Sequence, residues 1–117
     1  MWVKHGSKGS TAGGGMPSVV EGINVVQEAG ILYGQSKAAS AGGVAVSGME
    51  MSQNSARISW SEDDLQKLLL ETMQGIHDSC FLYGEGKGKD GGCDYLSGAN
   101  IAGFVKVADA MLAYGVQ

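Results

Sequence analysis

The run Ser61-Glu62-Asp63-Asp64 constrains this chain more than any other stretch. A serine hydroxyl can accept from the unpaired amides of a first helical turn, an acid follows three residues on, and three carboxylates stand where the helix dipole favours negative charge. Leu65, Leu68, Leu69, Met73, Ile76, Cys80 and Tyr83 then recur every three or four residues. The spacing predicts one long helix from this cap through Tyr83 with a single apolar stripe. The stripe reads as core, so whatever else the chain forms has to cover it.

The flanking segments offer such cover. Ile101, Phe104, Val105, Ala108, Met111 and Leu112 predict a second amphipathic helix that ends at Gly115, with Asn100 as its cap. Val44, Ser47, Met51, Asn54 or Ser55, and Ile58 lie along one side of a third, entered through the pair Gly42-Gly43. Pro17 suits the first turn of a fourth, in which Val19, Val20, Ile23 and Val26 share a face and Gly30 supplies the left-handed closing residue. Ile31 to Gly34 is too short and apolar for anything but a buried strand. Helix followed by strand suggests half of an α/β unit, yet a parallel sheet needs more strands than are evident. The expected fold is therefore mainly α with one short strand, either helical by design or parted from its sheet. Residues 1–15 carry few sizeable apolar groups and are expected to form a flexible tail, with His5 a solvated side chain.

Composition narrows the class. A chain of 117 residues makes one small domain. With 44% apolar and 17% charged residues it is globular rather than disordered. Its 20 glycines gather at 6–15, 34–48 and 84–98 and mark three loop-rich zones. A net charge of -4 gives no footprint for a phosphate backbone, so nucleic acid is not an expected partner. Two cysteines, Cys80 and Cys93, read as free thiols of a reducing compartment. No apolar run is read as long enough for a membrane span and no signal core is evident, so a cytoplasmic location without a membrane partner is expected.

Chemistry is sparse. No Cys–His pair has the logic of a nucleophile, and no metal-ligand cluster or complete dinucleotide fingerprint occurs. His77, one position off the stripe beside Asp78, reads as a partly exposed structural histidine. The alternating glycines and lysines of 84–92 follow a helix and lack GxxxxGK[ST] spacing, so they read as a flexible connection, not a phosphate loop. Ser47, by its residue type alone, is expected to bond back to a carbonyl one turn earlier. Gly48 costs about 1 kcal/mol in a helix, which makes sense if a ligand or backbone approaches there.

Two stretches carry a resemblance: Ala41-Gly42-Gly43-Val44-Ala45-Val46-Ser47-Gly48-Met49-Glu50-Met51-Ser52-Gln53-Asn54 and Gly98-Ala99-Asn100-Ile101-Ala102-Gly103-Phe104-Val105-Lys106-Val107-Ala108-Asp109-Ala110-Met111-Leu112-Ala113. Both strongly resemble the C-terminal part of the hexameric NADP-dependent glutamate dehydrogenases, with Arg57-Ile58-Ser59-Trp60 and Ile76-His77-Asp78 placed between them as in that family. The resemblance covers about residues 16–117, leaves 1–15 as a non-family tail, and implies a fragment of a Rossmann-like nucleotide-binding domain plus C-terminal helices. It implies reversible oxidative deamination of L-glutamate to 2-oxoglutarate and ammonia with NADP, in a homo-oligomer. It places Val44 against the substrate side chain, makes Ser47 the hydrogen-bond donor to its γ-carboxylate, and puts Ser40 and Gly15, where the family carries asparagines, near the nicotinamide. It places no catalytic residue in this chain, so the isolated chain is expected neither to oxidise glutamate nor to bind NADPH tightly, and its apolar faces are expected to drive association. The competing expectation is a non-enzymatic helical interaction module.

Overall fold

A computed structural model describes residues 2–115. A short 3-10 turn, Trp2–His5, precedes strand β1, Gly9–Thr11. Helix α1, Val20–Glu28, leads to β2, Leu32–Gly34, and four-residue α2, Ser36–Ala39, runs into α3, Ala41–Ala56. Helix α4, Glu62–Gly84, and helix α5, Tyr95–Tyr114, follow, separated by a loop with a 3-10 turn at Lys89–Gly91.

The expectation of a tail over residues 1–15 and of a strand without neighbours is corrected. Strands β1 and β2 pair in parallel, Gly9 opposite Leu32, Ser10 opposite Tyr33 and Thr11 opposite Gly34. With α1 as the crossover, residues 9–34 make a complete β–α–β unit. Gly-Ser-Thr has one β-branched residue and no apolar alternation to mark a strand. Its place is fixed by tertiary hydrogen bonds, Leu32 N–H to the Lys8 carbonyl at 3.3 Å and Ala12 N–H to the Gly34 carbonyl at 3.2 Å, and by burial of Ala12.

Several local signals are met. Ser61 caps α4, its Oγ accepting from the Asp64 amide at 3.2 Å. Gly30 closes α1 with φ of +69°, and the Ile31 amide reaches back to the Val26 carbonyl at 3.2 Å, the bond of a left-handed helix terminus. Others differ. Pro17 lies outside α1. Helix α5 begins at Tyr95 rather than after Asn100, because Asp94 Oδ1 takes the Leu96 and Ser97 amides at 3.0 and 3.2 Å. The 84–92 loop is pinned: Asp94 N–H bonds the Gly84 carbonyl at 2.9 Å, and Lys89 Nζ donates to the Glu28 carbonyl at the end of α1 at 2.6 Å.

The inner faces of α4 and α5 pack closest. A methyl on Gly98 would collide with the Cys80 carbonyl oxygen, and one on Gly84 with the Asp94 carbonyl, so both helices bring bare backbone together. Ala12, Tyr33, Cys80 and Ala99 are the buried apolar centre among the described residues. Around it much apolar surface stays open: Phe104 is 72% and Leu112 74% exposed on α5. The radius of gyration is 17.0 Å, against about 13 Å for a compact chain of this length. Helix α5 spans 20 residues with mean hydropathy 1.2, enough for a membrane span by length and composition alone. This corrects the expectation that no apolar run is long enough for a span; Gly98 brings the start of this helix against α4, while 11% of the apolar stretch is buried.

Candidate functional site

The exposed side of α3 and the turn that feeds it form the candidate site. Ser40 ends α2 and caps α3 at once: its amide and its hydroxyl both donate to the Ser36 carbonyl, at 2.8 and 2.7 Å. The Ser36 hydroxyl in turn donates to the Gly14 carbonyl. Thus Gly15, 25 positions from Ser40 in the chain, is carried on the turn that Ser36 ties to the start of α2, which Ser40 ends.

Gly42 and Gly43 belong to the first turn of α3, not to a hinge before it. Gly42 faces α4 closely: a Cβ at this position would stand 3.3 Å from Met73 Sδ and 3.5 Å from Leu69 Cδ1. Gly43 and Gly48 have no such neighbour within 4 Å. Helical geometry aligns Ser40, Val44, Ser47 and Met51 at steps of four, three and four, along one face. That face is open, with Val44 75% and Met51 68% exposed.

Ser47 departs from its expected local bond. Ser52, Thr72 and Ser79 each donate to the carbonyl four residues earlier, at 2.9, 2.7 and 2.8 Å. Among the described residues Ser47 makes no such bond, and its side of the helix is exposed. A hydroxyl without an intrahelical acceptor, one turn beyond an exposed valine, can donate to an anionic ligand lying along the face. Ser40 differs: with its proton committed to Ser36, it retains acceptor lone pairs for an amide N–H.

Lys37 and Asn100 join the two stretches that carry the resemblance. Lys37 Nζ donates to Asn100 Oδ1 at 2.8 Å, so Asn100 works as an interior residue of α5 and not as its cap. A groove of about 440 Å³ opens beside this bond between α2–α3 and α4–α5, with Lys37 and Lys106 on its walls and no carboxylate lining it. Lys37 lies four residues ahead of the first stretch that carries the resemblance, and Asn100 and Lys106 lie within the second.

His77 sits in a local network at the surface of α4. Its Nε2 lies 3.0 Å from the Tyr95 hydroxyl, its Nδ1 3.3 Å from Asp78, and its ring stacks on Phe81, which ties α4 to the first residue of α5. Cys80 and Cys93 are free. Burial pushes both thiols above their ordinary range, with Lys37 pulling Cys80 partly back and Asp94 adding to the effect at Cys93. Neither has the lowered thiol of a nucleophile. Among the described residues no group of three His, Cys, Asp or Glu side chains is placed to hold a metal ion.

The architecture is thus a β–α–β unit extended by a packed helix pair, with an open small-residue helix face beside the strand-to-helix turn. A family model described as Glutamate/Leucine/Phenylalanine/Valine dehydrogenase matches residues 3–115, and the chain belongs to that family. The match also takes in β1, so residues 3–15 lie inside the family segment rather than before it. Glutamate dehydrogenase of Bacteroides thetaiotaomicron is 47% identical over 114 residues, covering 97% of this chain and 25% of that protein. The NADP-specific glutamate dehydrogenase of Escherichia coli strain K12 is 47% identical with the same coverage. A solved structure of Plasmodium falciparum glutamate dehydrogenase 2 superposes with a TM-score of 0.86 at 38% identity, covering 97% of this chain and 25% of that one. The chain spans about a quarter of the length of these relatives.

Proposed function

We propose that these 117 residues form the substrate side-chain wall of a glutamate dehydrogenase, the C-terminal part of its Rossmann-like nucleotide-binding domain. The reaction is reversible: L-glutamate, water and NADP⁺ give 2-oxoglutarate, ammonium, NADPH and a proton. In this role Val44 packs against the methylenes of glutamate and Ser47 donates to its γ-carboxylate. Ser40 and Gly15 border the nicotinamide end of the coenzyme, where the Ser40 hydroxyl accepts from a carboxamide N–H and the absence of a side chain at Gly15 leaves room. Bound NADP carries the hydride; the residues of this chain orient the substrate beside it and limit water at its side chain. NADP is chosen on the names of relatives such as the E. coli enzyme, while the relative from Xylanibacter ruminicola is named NAD(P)-specific.

The observation that carries this reading is the uncommitted Ser47 hydroxyl on the exposed Val44 face, whereas Ser40, Ser52, Thr72 and Ser79 each donate to a carbonyl four residues earlier. Its test is a chimera in which this chain replaces the matching quarter of the E. coli enzyme. The chimera is expected to form NADPH from glutamate, and the 117-residue chain alone to form none. Ser47→Ala in the chimera should cost about 1.5 to 3 kcal/mol of transition-state stabilisation on glutamate, the value of a charge-assisted hydrogen bond. Unchanged glutamate kinetics would overturn the assignment. The expected homo-oligomer, a hexamer, is measured by sedimentation of the same chimera.

A second reading rests on the open faces of α5 and α3. In it the chain is a non-enzymatic helical module that docks on intact dehydrogenase subunits. Co-purification with the full-length enzyme, together with a chimera that shows no activity, would favour this module.

A further inference from the structure

We infer that Lys37 is a positioning residue: its bond to Asn100 sets where the first turns of α3 stand and thereby where Val44 and Ser47 meet the substrate. This rests on the function proposed above. Beside the wider packing of α3 on α4, three local ties fasten the α2–α3 segment. The Ser36 hydroxyl reaches the Gly14 carbonyl, and Gly42 lies on Leu69 and Met73. The third, Lys37 to Asn100, joins residues 63 apart and is the one side-chain hydrogen bond between residues 36–56 and α5 among the described residues. It is also the one of the three with a charged donor, and both of its side chains lie at the surface.

The geometry makes this bond a lever. Helix α5 is fixed on α4 by the backbone approach at Gly98, so Asn100, two residues on, is a firm anchor. Gly103 borders the ammonium, which lies 3.7 Å from where its Cβ would be, an ordinary van der Waals distance. Lys106 shares the groove and no carboxylate lines it, so Asn100 is the acceptor that keeps Lys37 in place against a like charge. Ser47 lies six residues past the start of α3, about 9 Å along its axis. A tilt at the Lys37 end is therefore carried to the Ser47 hydroxyl. A ligand group displaced by about 1 Å can lose roughly a hundredfold in rate.

The test uses the chimera with E. coli glutamate dehydrogenase and compares glutamate with norvaline, which has the same carbon chain without the γ-carboxylate. Lys37→Met and Asn100→Ala are each expected to lower kcat/KM for glutamate about tenfold, mainly through KM, and to change norvaline turnover far less. The double variant should be no worse than either single variant, and Asn100→Asp, which keeps the acceptor, should restore the parent preference. Equal losses on both amino acids, or losses that multiply in the double variant, would overturn the inference. Ser47→Ala that leaves discrimination intact sinks the substrate-wall reading, and Lys37 with it. Ser47→Ala that abolishes discrimination while Lys37→Met preserves it sinks the Lys37 role alone. On the 117-residue chain itself, Lys37→Met should speed amide exchange at least about tenfold in the first turns of α3 while sparing α4, and unchanged exchange there would count against the role.

Discussion

Helices α3 and α5 both pack on α4 and both carry glycines on the way, but they use them in opposite senses. On α5, Gly98 faces the Cys80 carbonyl so closely that no side chain fits, and the two backbones lock. On α3, only Gly42 meets α4, through the Leu69 and Met73 side chains, while Gly43 and Gly48 look into open space. One interface is closed by missing side chains. The other helix is lightly held and keeps a free face, the state a binding surface needs before its ligand arrives.

The comparison breaks first at Gly98. Gly98→Ala forces α4 and α5 apart against backbone atoms that cannot rotate away, and should destabilise the chain by about 3 kcal/mol or more. Urea unfolding followed by circular dichroism would register it as a large fall in midpoint. A midpoint close to that of the parent would show that the helix pair is not locked there.

A smaller effect is expected at Asp94, which starts α5 by taking the Leu96 and Ser97 amides and also accepts from Gln27 Nε2 at 3.2 Å. Asp94→Ala removes the cap and the tie to α1, at about 1 to 2 kcal/mol. Asn100→Ala should leave the start of α5 unchanged, because Asn100 serves Lys37. Fraying of residues 95–98 in the Asn100 variant rather than the Asp94 variant would return the cap to Asn100.

These two sites also mark how far the sequence could be followed. The Ser61 cap, the α4 stripe and the Gly30 terminus depend on neighbours within a few residues, and the structure bears them out. Leu68, 38% exposed, sits at the border of that stripe. Strand β1 was illegible because Gly9-Ser10-Thr11 owes its conformation to β2, more than 20 residues away. Glycines count as helix breakers locally, whereas α3 begins at Ala41, takes in Gly42 and Gly43, and lays Gly42 against Leu69 and Met73. The cap of α5 was missed although Asp94-Tyr95-Leu96-Ser97 has the spacing of a capping pair; the preceding glycines drew the helix start downstream. At the candidate site, Val44 and Ser47 came from resemblance, and helical spacing alone put them on one face. The bond between Lys37 and Asn100 joins distant residues and could emerge only once α2 and α5 were placed.

Gly48 gives the smallest expected change and the sharpest use of the comparison. A Cβ there meets nothing within 4 Å, and the backbone is helical, so Gly48→Ala should stabilise the chain by about 0.5 to 1 kcal/mol by restricting the unfolded ensemble. At Gly98 the same substitution is expected to act in the opposite direction. In the chimera the two readings of the open space at Gly48 separate. A variant that gains stability and loses glutamate turnover shows that space beside Ser47 is reserved for substrate or for the facing part of the enzyme. A variant that gains stability at unchanged turnover shows that Gly48 merely weakens the helix, and confines the site to the Ser40, Val44 and Ser47 side.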